Sequence, residues 1–249
     1  MEEAKRFCEY DDLKSFVTEY SKQYFRDTCS STPGVSKRNQ TERSVECRIM
    51  KILHSGLRSA DDVFDALAWK TGRIKQKEYS DDMPLKYYDG CDKEKRIIKV
   101  WGRCISLSDY AERIIRIAPA IEKSVAEEDY ASVFSQLLSG APEGIGSVYV
   151  ITLLFFITKG KQPIYDQYAM RALVDMTPDK TLKYHELPQR EGKGSIKESM
   201  IEKLSNDYAE YKKLLQYHFG EKYKDCRDID RALWVYGHLC KSMEKECMS

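Results

Sequence analysis

Apolar positions recur along most of this chain at intervals of three and four residues, the period of helices that lay one face against a core. In Asp12–Phe25, the side chains of Leu13, Phe16, Val17, Tyr20 and Phe25 fall near one face, which predicts an amphipathic helix. A second helix is expected at Val45–His54. A third follows Ser59, which with Asp62 forms a capping box carrying Asp in the usual Glu or Gln position, and Gly72 supplies its stop. Ser108 heads a further helix expected to be interrupted at Pro119, because proline lacks the N–H that the ladder needs. Another ends at Gly140. Val148–Thr158 is almost continuously apolar and reads as a buried helix, far short of the roughly 20 residues that span a bilayer. Two more helices are expected at Ile196–Tyr217 and from Asp228 to about Glu246.

Between these lie a polar loop turning at Pro33-Gly34, an irregular acidic and aromatic connection at Tyr79–Asp92, and an exposed loop over 177–195. Arg96–Gly102 is too short for periodicity to choose between a strand and a helix start. The expected class is mainly α.

Composition narrows the picture chiefly by exclusion. With 41 basic against 40 acidic residues the net charge is +1, so a broadly basic nucleic-acid footprint is absent and any such contact must be local. Basic clusters occur at Trp69–Lys77, Lys93–Lys99, Lys159–Lys161 and Gln189–Lys197. The acidic N-terminus shows no secretory pattern, which places the expected location in the cytoplasm. Eight scattered cysteines contain no C-x-x-C pair, and in a reducing compartment they read as small buried hydrophobes; neither they nor the four histidines suggest a metal site.

One stretch carries chemistry. Gly144 and Gly146 permit a sharp backbone turn before the apolar helix, whose N-terminal N–H groups suit a phosphate, and Pro163-Ile164-Tyr165-Asp166 follows it. Asp166 is read two ways, as a helix N-cap or as a catalytic carboxylate, and the roles are compatible. Over Tyr130–Val174, the Gly-Ile-Gly turn, the hydrophobic helix and the Pro-Ile-Tyr-Asp segment with Arg171-Ala172-Leu173 after it resemble the helix-hairpin-helix DNA glycosylase superfamily. The resemblance implies a two-lobed helical fold with a cleft, with residues 1–95 and 196–249 in one lobe and 96–176 in the other. It implies duplex DNA as partner, no membrane association, Asp166 as the catalytic acid, and DNA contacts by Gly144, Ile145, Gly146, Ser147, Val148, Lys159 and Lys161.

In that family, bifunctional members carry a lysine nucleophile two positions after the second turn glycine. Val148 stands there, so the activity implied is monofunctional removal of a damaged or mispaired base, with its carboxylate stabilising positive charge on the sugar or activating water. Only three cysteines, Cys226, Cys240 and Cys247, fall near the C-terminus, and too far apart for the family's iron–sulfur cluster; no cofactor is expected beyond a monovalent cation at the turn. An extruded base needs an aromatic pocket, for which Trp69, Tyr165, Trp234 and His238 are candidates, with Tyr168 and Tyr236 behind them. Glu143 departs from the family turn by adding a residue and a negative charge. A non-catalytic DNA-binding or interaction module on the same fold is the alternative, and a purely structural turn in an unrelated helical domain the third reading.

Overall fold

The computed structural model describes residues 5–25, 40–80, 83–178, 187, 198–221 and 227–246. Among these, a short 3-10 turn at Phe7–Glu9 precedes nine α-helices and one two-stranded sheet. In chain order they are α1 (Leu13–Lys22), α2 (Arg43–Ser55), α3 (Ala60–Lys70), β1 (Ile97–Val100), β2 (Arg103–Ser106), α4 (Ser108–Ala126), α5 (Tyr130–Leu138), α6 (Ser147–Ile157), α7 (Gln167–Met176), α8 (Glu198–Phe219) and α9 (Arg227–Glu246). The protein is mainly helical, and no described helix is long and apolar enough to cross a membrane.

Local chemistry accounts for the helix starts. Asp12, Asp129 and Asp166 each cap a helix by accepting a backbone N–H, at 2.8, 2.9 and 2.9 Å. The Ser59–Asp62 box closes in both directions. The break expected at Pro119 does not occur, and α4 runs on to Ala126. Pro119 sits on the exposed face, where water can serve the carbonyl left without a donor, while Ile114 and Ile121 anchor the helix on both sides of it. Arg96–Gly102 resolves as β1 and a turn, because β2 pairs antiparallel with it in the register Ile97↔Ser106, Ile98↔Ile105, Lys99↔Cys104, Val100↔Arg103.

The chain divides into two compact units. The first takes the described parts of 1–43, 165–186 and 211–249. Its core joins α1, α7 and α9: Phe16, Tyr20 and Tyr236 meet with ring centroids 5.1–5.2 Å apart. The Tyr236 hydroxyl donates to Asp175 on α7 and accepts from Phe7 N–H at 2.9 Å. The second unit takes 44–164 and 187–210 and packs α3, α4, α5 and α6 with the β-hairpin. There α6 is buried from Val150 to Ile157, which is why its sequence is apolar all round. These divisions fall at 43/44, 164/165, 186/187 and 210/211. The reason is packing: α3 lies on α4 and α6, and α7 lies on α9, so each joins the unit that covers its apolar face. Most of the 177–195 loop lies outside the described residues.

The cysteine expectation needs correction. Cys240 is buried and Cys91 half-buried, but Cys8, Cys47 and Cys104 are exposed. Helical or strand position, not residue type, decides this: Cys104 lies opposite Lys99 on the outward face of the hairpin. Cys29, Cys226 and Cys247 lie outside the described residues.

Candidate functional site

Asp166 ends the connection from α6 and caps α7. Its Oδ1 accepts the Tyr168 N–H at 2.9 Å, and the side chain remains half-buried. What surrounds it in the first unit is decided by α9. Trp234, His238 and Lys241 recur there at intervals of four and three, on one face turned to the start of α7. The two helices touch at Gly237, where a Cβ would lie 1.8 Å from the Tyr168 carbonyl oxygen and 2.4 Å from its carbon. Only glycine admits that approach.

The close crossing sets the Tyr168 ring flat against the His238 imidazole, centroids 3.4 Å apart and planes within 16°. Trp234 closes in on the imidazole at 4.2 Å, and the Lys241 ammonium sits 5.2 Å from the Tyr168 ring. His238 is 4% exposed. Its Nδ1 lies 2.9 Å from the Trp234 carbonyl, an acceptor, so Nδ1 carries the proton and Nε2 presents a lone pair. That Nε2 is buried and has no hydrogen-bond partner in the described protein. Burial holds the imidazole below its ordinary pKa, against the opposing pull of the Trp234 carbonyl and the Asp166 charge; Lys241 lowers it further. The neutral ring is therefore a buried acceptor within electrostatic reach of a carboxylate.

The glycine turn belongs to the second unit. Gly144 adopts φ +97°, and a Cβ there would strike Ile105 Cδ1 at 2.8 Å, so the turn rests directly on the β-hairpin. Ile145 N–H donates to Pro142 O at 3.0 Å, while Ile145 and Ser147 are buried. Gly146 N-caps α6 in extended backbone, faces open space, and accepts from Tyr149 and Val150 N–H. Val148 is half-buried on the first turn. The Glu143 carboxylate is engaged by the Arg103 guanidinium, which neutralises the charge it brings to the turn.

The remaining sequence candidates are distributed more widely. Lys159 and Lys161 are exposed, but they follow the C-terminal end of the 11-residue α6, roughly 16 Å along the helix from the turn glycines. Tyr165 is fully buried and stacks on Tyr211 at 4.6 Å, leaving no face for a ligand. Trp69 is half-buried on α3 of the second unit, edge-on to Phe156. His238 and Trp234 do come together near Asp166, yet the imidazole offers an edge, its face being covered by Tyr168. Among the described residues no group of three or more His, Cys, Asp or Glu side chains is placed to hold a metal ion.

Gly237 and Lys241 escaped the sequence reading. The signal was present in the helical spacing of Trp234, His238 and Lys241, but only the facing helix gives that stripe a purpose. No protein-family model, curated protein or solved structure matches the chain.

Proposed function

We propose that this protein is a divergent, monofunctional DNA glycosylase that hydrolyses the N-glycosidic bond of a damaged or mispaired base in duplex DNA. The observation that carries the reading is Asp166, half-buried at the start of α7, beside a buried neutral imidazole whose Nε2 lacks a partner. The α5–turn–α6 segment twenty residues upstream supplies the backbone suited to phosphate. The two-lobed helix-hairpin-helix fold with a cleft belongs to the same proposal.

In this mechanism the bond from C1′ to the base nitrogen breaks and its electron pair leaves with the base, which takes a proton from solvent. Positive charge builds on the sugar, and the Asp166 carboxylate stabilises it. Water then bonds to C1′ through oxygen and passes a proton to Asp166. The His238 Nε2 accepts the other O–H of that water and fixes its orientation. No lysine takes part, since Val148 occupies the nucleophile position.

The test is base excision on duplexes carrying uracil, alkylated, oxidised or mismatched bases, developed with alkali at abasic sites. Asn caps helices as well as Asp, so Asp166→Asn should keep its thermal midpoint while losing about 10²- to 10⁴-fold in rate. Equal rates in both proteins, or no excision of any substrate, would refute the mechanism. One oxygen of Asp166 is already spent on the Tyr168 N–H, and this favours a second reading, a DNA-binding module without catalysis. Tight binding to DNA with no excision by the wild type would select it.

A further inference from the structure

The tip of the β1–β2 hairpin carries an aromatic side chain that folding does not use. Trp101 and Gly102 form its two-residue turn, with φ of +49° and +82°, the left-handed pair of a type I′ turn. Asn, Asp and Gly suit the first of these positions, and a bulky residue there is strained. Yet the chain spends a tryptophan on it, and Trp101 is 82% exposed, the most exposed large hydrophobic side chain among the described residues. Trp69 and Trp234, by contrast, both pack against other rings.

Its surroundings define the chemistry of a partner. Arg103, next across the turn, is largely exposed and reaches Glu143 on the α5–α6 turn. Lys99, on the preceding strand, faces the other side of the hairpin with its stem over Gly90, and its carbonyl is held by Arg73 Nε at 2.7 Å. The Arg73 carbonyl in turn accepts the N–H of exposed Tyr88. The acid at the tip is Glu143, paired with Arg103, while Asp92 sits at the opposite end of the hairpin, bridged to Ile97 and paired with Lys95. The tip thus sets an exposed aromatic face beside the Arg103 guanidinium, adjoining the turn proposed above to meet phosphate.

We infer that Trp101 is a base-stacking residue: it takes an unpaired or destacked nucleobase on its indole face while Arg103 holds the adjoining phosphate. Base–aromatic stacking is indifferent to sequence and is unavailable in an intact duplex, so the surface selects distorted or single-stranded DNA. The inference rests on the DNA reading of the same unit and extends it from the sugar-cleaving residues to lesion search.

The experiment uses the full-length protein, with fluorescence anisotropy on a perfect duplex, the same duplex with a single mismatch or one-base bulge, and the single strand. A 2-aminopurine beside the defect reports stacking. Wild type should prefer the bulged and single-stranded probes, and Trp101→Asn should weaken both by about tenfold or more. Asn also relieves the turn, so its melting midpoint should hold or rise by about 2 °C. Trp101→Phe should recover most of the affinity. Wild-type binding with no loss in Trp101→Asn overturns the stacking role and leaves the DNA reading standing. Absence of DNA binding by the wild type overturns both. Self-association that disappears in Trp101→Asn, with DNA affinity unchanged, reassigns the tip to a second copy of the chain and likewise overturns it.

Discussion

Gly237→Ala is the sharpest perturbation of the α7–α9 crossing. In an exposed helix interior this change stabilises by about 0.5–1 kcal/mol, because alanine has less backbone freedom to lose. Here the new methyl would sit 1.8 Å from the Tyr168 oxygen and 2.8 Å from its Cα, all backbone atoms with no rotamer to escape into. Restoring even a 3.0 Å contact moves α7 by at least about 1.2 Å, in a core packed with few voids. Overpacking of this kind costs about 1–3 kcal/mol, and the displacement also loosens the Tyr168–His238 stack. The helix-propensity gain does not offset the upper part of that range, so we expect a net loss of about 2 kcal/mol and a midpoint lower by about 4–8 °C. Urea titration followed by circular dichroism measures the first and thermal melting the second. Excision should fall further than stability accounts for, by about 10²-fold, since a 1 Å misplacement of positioned groups costs that much. A Gly237→Ala protein as stable as wild type, or more so, would refute the close-approach argument, and with it the claim that this glycine builds the site.

Two further expectations follow from charge. His238 and His218 are both held below the ordinary histidine pKa by burial. The unfolded chain therefore binds more protons between each lowered value and about 6.5, so stability should fall as pH drops through that window; His238→Gln should flatten part of the slope in a pH series of urea titrations. The same protonation removes the Nε2 acceptor, so excision should fall on the acid side, and a rate that stays flat while stability drops with His238 protonation in the same pH series would contradict its role. At the turn, Glu143→Gln releases Arg103 from a surface pair worth about 0–1 kcal/mol and removes a charge that repels phosphate. DNA affinity should rise, and the salt dependence should steepen by nearly one unit of slope; unchanged values in anisotropy titrations would count against DNA contact at the turn.

The sequence by itself determined most of the helices, because their causes are local. Capping residues such as Asp12 and Ser59 stand within three positions of the N–H groups they serve, and the apolar period of α1 is written in adjacent turns. Asp166 was legible for the same reason: proline, aromatic and acid lie in one short segment, and the cap bond spans two residues. Other features depend on groups distant in the chain. Arg96–Gly102 became a strand only because a partner strand supplied its hydrogen bonds, and Pro119 was tolerated only because its face met solvent. Tyr165 looked like a pocket aromatic until Tyr211, 46 positions later, stacked on it. His238 and Trp234 were visible as polar and aromatic residues on a helix, but their relation to Asp166 required Gly237 to admit α7 across more than sixty intervening residues. Local hydrogen bonding and periodicity are encoded by neighbours in the chain, whereas exposure, ring stacking and an unpartnered Nε2 are properties of what packs around a residue, and only the tertiary structure decides that.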